Sequence, residues 1–473
     1  MSATMRRERD PLGECEVPAG AYYGAQTARA LDNFPVSGVS IATHPHLIWA
    51  LAAVKEAAAL ANRQIGVLDP AKAEAIVSAC REIREGALRE QFVVDVLQGG
   101  AGTSTNMNAN EVIANRALEL LGHPRGAYEH LHPLDDVNAG QSTNDVYPTA
   151  ARVALDRAVC DLVEALASLR GAFAARAEEF GSVVKVGRTQ LQDAVPMTVG
   201  QELAAYAATI AEDEARLEEA RLLLQEVNLG GTAIGTALNA HPEYRDLVRA
   251  QLSAIAGLRL RSAPDLVEAT QDCGAFVQLS GTLKRVAVKL SKICSDLRLL
   301  SSGPRAGLGE ITLPAVQMGS TIMPGKVNPV IPEMVNQVAF EIAGNDVTVS
   351  MAAEAGQLQL NAFEPVMVHR LLEGFAHLSA ACGLLARRCV SGLGVNHERL
   401  RESVERSLGI ATALNPHIGY AAACSIAREA LESGRTVTEV VAERGLLDPT
   451  QLEELLGPHH LVGHSPAREG ADS

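Results

Sequence analysis

The spacing of apolar residues in the middle of the chain restricts the possible folds most strongly. The clearest pattern alternates steps of three and four residues through Phe276, Leu279, Leu283, Val286, Leu290, Ile293, Leu297 and Leu300. Similar patterns run from Leu155 to Phe173, from Leu203 to Leu224 and from Leu371 to Leu385. This spacing is typical of helices that pack along a seam. We therefore predict an all-α protein with helices of about 30 residues, each about 45 Å long, in a bundle that is oligomeric because such rods need several partners.

The flanking segments indicate two further domains. We expect residues 1–140 to form a mostly helical N-terminal domain with an irregular start, and residues 141–396 to form the long-helix bundle. The Gly392-Leu-Gly394 sequence ends the long pattern, so residues 397–473 are expected to form a small helical domain. Its polar tail after Gly463 is expected to be disordered.

Composition excludes several classes of partner. The 473 residues carry a formal net charge of −15, which argues against nucleic acid. The eight cysteines are scattered without a Cys-x-x-Cys pair, as is usual for reduced thiols in the cytoplasm. The charged N-terminus has no apolar core, and no apolar run reaches the roughly 18 residues of a membrane span. We expect a soluble cytoplasmic protein with no membrane partner and, because its histidines lack ligand spacing, no metal.

Four polar segments interrupt the helical patterns, at 98–108, 138–145, 187–196 and 303–329. Taken singly, each could be a helix cap or a turn, which are commoner than ligand sites. Four of them beside long helices instead indicate a polar binding site. The last segment combines Ser320, Lys326 and Asn328 with Pro324 and Gly325, which break regular structure. A loop with free N–H groups, a lysine and a serine is suited to hold an anion and move a proton.

These segments resemble a known family. Gly319-Ser-Thr-Ile-Met-Pro-Gly-Lys-Val-Asn-Pro329 is similar to the signature loop of the aspartase/fumarase superfamily, Gly-Ser-Ser-x-Met-Pro-x-Lys-x-Asn. Gly102–Asn108, Ser142–Asp145 and Gly187–Asp193 are similar to its other active-site segments. The resemblance implies a three-domain fold whose long helices assemble into a homotetramer core, with active sites shared between chains and no cofactor. Within the superfamily the chain is most similar to the aspartate ammonia-lyases.

The resemblance also implies a reaction and residue roles. Aspartate ammonia-lyases reversibly convert L-aspartate to fumarate and ammonia through an enediolate formed by loss of a Cβ proton. Ser320 would be the general base. The reacting carboxylate would be bound by Ser142, Thr143 and Thr321, and the second carboxylate by Thr189, Lys326 and Asn328. Thr103, Asn144 and Gln190 would surround the amino group, with Glu333 supporting Gln190.

Two alternatives stay open at this point: a class II fumarate hydratase, and a catalytically silent structural member of the superfamily. Fumarases typically have histidine where this chain has Gln190. Glutamine cannot titrate but can accept a hydrogen bond from an ammonium group, which favours the amine substrate. His132-Pro-Leu-Asp-Asp136 has Leu134 where relatives commonly have asparagine, which puts the second carboxylate site of the family in question.

Overall fold

Helices dominate the computed structural model, which describes residues 4–455, 461 and 462. The α-helices in this part of the chain are α1 (Ala25–Asn33), α2 (Pro45–Gln64), α3 (Pro70–Arg84), α4 (Thr103–Leu120), α5 (Thr143–Glu179), α6 (Val199–Arg221), α7 (Tyr244–Ala256), α8 (Leu266–Gln271), α9 (Gly274–Leu300), α10 (Val330–Glu354), α11 (Glu364–Arg388), α12 (His397–Arg406), α13 (Ile410–Ile418), α14 (Tyr420–Ser433), α15 (Val437–Glu443) and α16 (Pro449–Leu455). The predicted all-α class is confirmed. The tail after Gly463 lies outside the described residues.

Short strands form four two-stranded sheets. The strands are β1 (Met5–Asp10), β2 (Gly13–Pro18), β3 (Val184–Thr189), β4 (Gln192–Thr198), β5 (Glu226–Val227), β6 (Arg261–Ser262), β7 (Ile311–Thr312) and β8 (Gly394–Val395). The β1–β2, β3–β4 and β7–β8 pairs are antiparallel, and β5–β6 is parallel. The first hairpin lies in the segment that we expected to be irregular, and the β3–β4 hairpin replaces the third polar loop.

The predicted seam is the buried face of the long helices. All eight seam residues of α9 are at most 7% exposed. Helices α5 and α11 contain two of the other predicted patterns, and α6 contains the third up to Leu217, whereas Leu224 lies in the 3₁₀ turn that follows α6. No continuous apolar pattern marks α10 in the sequence, because its buried face carries Asp346 where such a pattern would continue. Ser280 donates a hydrogen bond to this carboxylate at 2.8 Å, and Lys284 pairs with it. No described helix is long and apolar enough to cross a membrane.

The chain divides into two compact units. Unit 1 consists of Met1–Val163, Ala215–Ala287 and Phe340–Leu378, and unit 2 of Glu164–Glu214, Val288–Ala339 and Ser379–Ser473. Each of the five long helices α5, α6, α9, α10 and α11 contributes residues to both units. Unit 2 also contains a small separate core on α13 to α16, which includes Leu414, Ile426 and Val440. The predicted domain boundaries near residues 140 and 396 stay a prediction.

Two long helices also present apolar side chains to the surface of the single chain. Val277, Val288 and Leu299 on α9 are 36%, 54% and 41% exposed. Their spacing of 11 residues is close to three helical turns, so they lie on one face. On α10, the exposed apolar residues are Phe340, Val347 and Met351. In the part of the chain that the structure describes, these two apolar faces are exposed to solvent.

Substitution of a buried seam residue by alanine is expected to lower the free energy of unfolding strongly. Leu290, only 1% exposed, lies in the middle of the α9 seam. We expect Leu290→Ala to lower the free energy of unfolding by about 2–5 kcal/mol, because it removes buried apolar contacts and leaves a cavity. Urea unfolding followed by circular dichroism measures this change. Leu431→Ala on α14 is the matched control, since Leu431 is 69% exposed and should lose less than about 1 kcal/mol. Equal losses in the two variants would contradict the assignment of Leu290 to the core.

Candidate active site

The first turns of α4 and α5 lie together in unit 1. Gly102 precedes α4 with a positive φ of +88°, and a Cβ atom at this position would lie 2.5 Å from the ring of Tyr147 on α5. Only glycine allows both this backbone conformation and this close approach. The contact places Thr103, the first residue of α4, beside the start of α5 at Thr143. The polar segments that we predicted as loops therefore end in helical turns.

Two helix N-termini that meet in this way favour an anion. The first N–H groups of a helix have no partner within the helix, and the aligned peptide dipoles give its N-terminus a partial positive charge. Because α4 has 18 residues and α5 has 37, both helices have a full dipole. Several of these N–H groups are already bonded: that of Thr103 to the Gly100 carbonyl, that of Thr105 to the Gln98 side chain and that of Asn144 to the Ser142 hydroxyl. A carboxylate near Thr103 and Thr143 therefore gains from the dipoles of the two helices rather than from a row of free N–H groups.

The hydroxyl groups of Ser142 and Thr143 are arranged as donors. The Oγ atom of Ser142 accepts a hydrogen bond from the Asn144 N–H at 3.2 Å. The Oγ1 atom of Thr143 accepts one from the Nδ2 atom of Asn106 at 3.1 Å. A hydroxyl that accepts from an N–H keeps its own proton for another acceptor. Both groups can therefore donate to a carboxylate.

Thr103 and Asn144 have the opposite polarity. The hydroxyl of Thr103 donates to the Gly100 carbonyl at 2.7 Å, and the Nδ2 atom of Asn144 donates to the Ala233 carbonyl at 2.7 Å. The only proton of the Thr103 hydroxyl and one N–H of the Asn144 amide are engaged in this way, and the oxygen atoms of both side chains can accept further bonds. Acceptor oxygens of this kind suit an ammonium group. Sequence reasoning had placed these residues at the site, and the hydrogen bonds supply their orientation.

Asp145 fixes the turn that carries these residues. This carboxylate is fully buried and accepts hydrogen bonds from the N–H groups of Ser142 at 2.9 Å, Gly230 at 3.0 Å and Thr232 at 3.0 Å. Burial raises the pKa of Asp145 to about 6, although the three N–H groups and Lys55 act in the opposite direction. Sequence reasoning did not predict the contact with residues 230–232.

A buried ammonium group lies behind the same turn. Lys55 is 0% exposed, and its Nζ atom donates to Asn138 Oδ1 at 2.8 Å and to Gln141 Oε1 at 2.9 Å. Burial lowers the pKa of Lys55 to about 7. The Nδ2 atoms of Asn106 and Asn110 also donate to Asn138 Oδ1, each at 3.2 Å. The signal in the sequence was a pair of asparagines one turn apart in a helix, a residue type that is rarely fully buried.

In unit 2, the β3–β4 hairpin carries Thr189 and Gln190 at its exposed tip. Thr189 pairs with Gln192 across a two-residue turn, in which Gln190 and Leu191 have positive φ values of 53° and 63°. Such turns strongly prefer Asn-Gly, so the sequence did not predict this one. Residues held in a disfavoured conformation are concentrated at functional sites.

A buried ion-pair network anchors this hairpin. Glu310 is 1% exposed and pairs with Arg188 and with Lys185, whose Nζ atom lies 3.0 Å from the Glu310 carboxylate. Lys185 also lies 2.7 Å from the Glu202 carboxylate. Because Arg188 immediately precedes Thr189, these contacts fix the strand up to the tip.

The loop at residues 319–329 surrounds the hydroxyl of Ser320. Its neck is closed by the Gly319 N–H, which donates to the Lys326 carbonyl at 2.9 Å, and by the Asn328 amide, which donates to the Gly319 carbonyl at 2.9 Å. The Oγ atom of Ser320 accepts from the N–H groups of Ile322 at 3.2 Å and Met323 at 3.0 Å. Ser320 and Lys326 line a hollow of about 380 Å³. Two N–H donors aimed at Oγ favour its ionised form.

The remaining predicted residues of this loop have few contacts. Thr321 and Lys326 are exposed, and Glu333 lies in the first turn of α10. Among the described residues, no hydrogen bond joins Glu333 to Gln190, so the supporting role of Glu333 stays a prediction. The structure thus groups Thr103 and Ser142–Asn144 in unit 1, and Thr189, Gln190 and the Ser320 loop in unit 2.

The segment with Leu134 already satisfies its own donors. The Nδ1 atom of His132 accepts from the N–H groups of Leu134 and Asp135, each at 3.2 Å. The Asp136 carboxylate accepts from the His132 N–H at 2.7 Å and pairs with Lys72 at 2.8 Å. No N–H group of Leu134 or Asp135 is thus left free for a second carboxylate. In the described part of the chain, no cluster of three or more His, Cys, Asp or Glu residues is placed to hold a metal ion.

Comparisons with known proteins identify the family of the chain. The lyase family matches residues 13–344, and the family described as the fumarase C C-terminus matches residues 410–463. An aspartate ammonia-lyase from Pseudomonas canavaninivorans is 58% identical over 98% of this chain and 98% of its own length.

Solved structures extend the likeness to the fold. The fumarate lyase:delta crystallin from Brucella melitensis, in a structure bound to cobalt, has a TM-score of 0.94 and 59% identity over 96% of this chain and 99% of that one. A class II fumarase from Schistosoma mansoni has a TM-score of 0.90 but 36% identity, over 96% and 98% of the two chains. The chain therefore belongs to the aspartase/fumarase superfamily of lyases.

Proposed function

We propose that the chain is an aspartate ammonia-lyase, a carbon–nitrogen lyase that reversibly converts L-aspartate to fumarate and ammonia. The observation that carries this proposal is the opposite hydrogen-bond polarity of neighbouring groups in unit 1. Ser142 and Thr143 can donate, whereas Thr103 and Asn144 can accept. Aspartate needs donors for its carboxylates and acceptors for its ammonium group. The 58% identity to an aspartate ammonia-lyase supports the same substrate.

The reacting carboxylate gains charge during the reaction. Loss of the Cβ proton leaves an enediolate with close to two negative charges on one carboxyl group, and Ser142, Thr143 and Thr321 donate to it. Neutral hydroxyls and helix N-termini bind this intermediate more strongly than the substrate, because its charge is greater. They also release fumarate more readily than a cluster of cations would.

Ser320 is the proposed base. A free serine hydroxyl is too weak an acid to supply an alkoxide near neutral pH, so its environment must stabilise the anion. The N–H groups of Ile322 and Met323 act in this direction, and Lys326 lines the same hollow. The alkoxide takes the Cβ proton, the electron pair of that bond forms the double bond of fumarate, and the C–N bond breaks to release ammonia.

Gln190 distinguishes deamination from hydration. Together with Thr103 and Asn144 it accepts from the substrate ammonium group, while Thr189, Lys326 and Asn328 bind the second carboxylate and Glu333 supports Gln190. A fumarate hydratase has to move a proton to or from water, and glutamine cannot titrate for that purpose. Gln190 therefore favours an amine substrate and disfavours the alternative of a fumarate hydratase.

The active site is proposed to combine several chains of a cytoplasmic homotetramer. Ser142–Asn144 lie at the start of α5, which has 37 residues and is therefore about 55 Å long, and Thr189 follows its other end. A four-carbon substrate cannot reach both ends of this helix, so each end must meet the complementary segment of another chain. The exposed apolar faces of α9 and α10 supply surfaces for such assembly. The cysteines, none of which forms a disulfide, fit a reducing compartment.

The first test is turnover itself. The protein mixed with L-aspartate is expected to produce the ultraviolet absorbance of fumarate, and mixed with L-malate it should not.

Ser320→Ala should lower kcat by on the order of 10²–10⁴, because it removes the general base. Ser433→Ala, an exposed serine on α14, is the control for substitution as such. Circular dichroism and gel filtration check that fold and assembly are intact. Fumarate from malate alone would identify a hydratase, and near-normal kcat in Ser320→Ala would place the base elsewhere.

The second test concerns the amino group. Gln190→His should lower kcat/KM for aspartate by roughly 10–100-fold, because a neutral acceptor to a charged group is lost. Histidine tolerates a positive φ better than most residues, so the turn should persist. The same variant is expected to gain slight hydration of fumarate. Leu191→His, at the neighbouring position of the same turn, is the matched control. An unchanged kcat/KM in Gln190→His would show that this residue does not contact the amino group.

The third test is complementation between chains. The double variants Thr143→Val/Asn144→Ala and Thr189→Val/Gln190→Ala should each be inactive, because each lacks one segment of the site. After unfolding, mixing in equal amounts and refolding, roughly a quarter of the sites should receive both intact segments if these come from different chains. The single variants Thr189→Val and Gln190→Ala, mixed in the same way, should not complement. Verified mixed oligomers without activity would contradict the shared site.

A further inference from the structure

Asn106 touches the proposed site from behind. It is 2% exposed, lies one turn after Thr103 on α4, and its Nδ2 atom is 3.1 Å from Thr143 Oγ1 and 3.2 Å from Asn138 Oδ1. Its own Oδ1 atom is buried and has no hydrogen-bond partner among the residues that the structure describes. A buried amide oxygen without a partner costs free energy, which an apolar side chain would avoid. What asparagine supplies at this position is the pair of hydrogen bonds that its NH₂ group donates to Asn138 and Thr143.

The orientation of this amide follows from Lys55. An ammonium group can only donate, so the atom of Asn138 that faces Lys55 at 2.8 Å must be its oxygen. The atom of Asn106 that approaches the same oxygen must then be its nitrogen. The same orientation follows without the charge of Lys55, because the other end of the Asn138 amide lies 3.1 Å from the Gln141 carbonyl, which can only accept, and must therefore be the nitrogen. The Asn106 NH₂ group is therefore also the group that faces Thr143.

This orientation determines what the Thr143 hydroxyl can do. An NH₂ group cannot accept a hydrogen bond, so the Thr143 proton cannot point at Asn106. We propose that Asn106 is a positioning residue that commits the Thr143 hydroxyl to donate to the reacting carboxylate of the substrate. The chain of bonds runs from Lys55 through Asn138 and Asn106 to Thr143. The inference rests on the proposed function, in which Thr143 binds that carboxylate.

The fixed direction of the Thr143 hydroxyl proton has its largest effect on the transition state. A free hydroxyl can rotate among acceptors and must be reoriented as charge develops, whereas a preoriented donor needs no reorganisation. The carboxylate of the enediolate carries more charge than that of aspartate. Loss of the Asn106 amide should therefore lower kcat more than it raises KM.

The chain offers a matched control in Asn110. This residue lies one turn further along α4, is fully buried, and donates to the same Asn138 oxygen at the same distance of 3.2 Å. Within the described part of the chain, its Oδ1 atom also has no hydrogen-bond partner. The Nδ2 atom of Asn110 donates to Asn138 and to the sulfur of Met107, and not to Thr143. A variant at this position thus reproduces the structural loss without the loss at the hydroxyl.

The test compares Asn106→Leu with Asn110→Leu, and each with Thr143→Val, in the full-length protein. Asn106→Leu should lower kcat for aspartate by about 10-fold, whereas Asn110→Leu should stay within about 2-fold at a similar loss of stability in urea. In the Thr143→Val background, Asn106→Leu should cause no further loss, because the hydroxyl through which it acts is absent. If the leucine variants do not fold, Asn106→Ala and Asn110→Ala replace them, since the smaller side chain leaves room for water.

The possible outcomes distinguish the positioning role of Asn106, the substrate contact of Thr143 and the proposed function. Equal effects of the Asn106 and Asn110 variants on kcat, with a clear loss in Thr143→Val, would overturn the positioning role and leave the proposed site standing. A full additional loss for Asn106→Leu in the Thr143→Val background would also overturn it. Normal kcat in Thr143→Val would show that Thr143 does not bind the reacting carboxylate, and the positioning role of Asn106 would then be wrong as well. A wild-type protein that does not form fumarate from aspartate would instead contradict the proposed function.

Discussion

The buried ammonium of Lys55 imposes a constraint on everything around it. A donor-only group that is fully enclosed must be met by acceptors, and here both acceptors are amide oxygens rather than carboxylates. Neutral partners compensate a charge incompletely, in line with the lowered pKa of this lysine. The interior therefore holds a hydrogen-bond donor just behind the turn at Ser142–Asn144. The amide groups of Asn138, Asn106 and Asn110 are oriented around this donor.

This arrangement explains how a chain with a net charge of −15 can bind a dicarboxylate. The overall field repels an anion, but interactions at contact distance are much stronger than those with exposed charges beyond a Debye length. In unit 1 the positive potential comes from two helix N-termini and from oriented hydroxyls rather than from exposed cations. Such groups bind a developing charge without trapping a stable dianionic product.

Particular residues show which parts of the structure the sequence could predict. The α9 seam was readable because every third or fourth residue is apolar, and the Ser320 loop because its polar groups lie within a few residues. The turn at Gln190 and Leu191 was not, because local propensity disfavours positive φ for both residues and the anchoring ion pairs come from Glu310, far along the chain. The asparagine pair on α4 indicated a buried polar cluster, but the distant partners of Asn106 and Asp145 were not predictable, since no local sequence pattern specifies the partner of a tertiary hydrogen bond.

The length of α5 links the stability of the fold to the chemistry. A helix of 37 residues is stable only when its apolar face is covered along its whole length, and the seam residues supply that cover. The same length separates the segments at its two ends by far more than a small substrate can span. In the proposed tetramer, the long helices of neighbouring chains pack antiparallel. This packing covers the exposed apolar faces of α9 and α10, and it also brings the start of α5 in one chain close to the end of α5 in another. In that tetramer, Gln190, Thr321 and Lys326 would contact a neighbouring chain or the substrate. These are the side chains with few partners in the single chain.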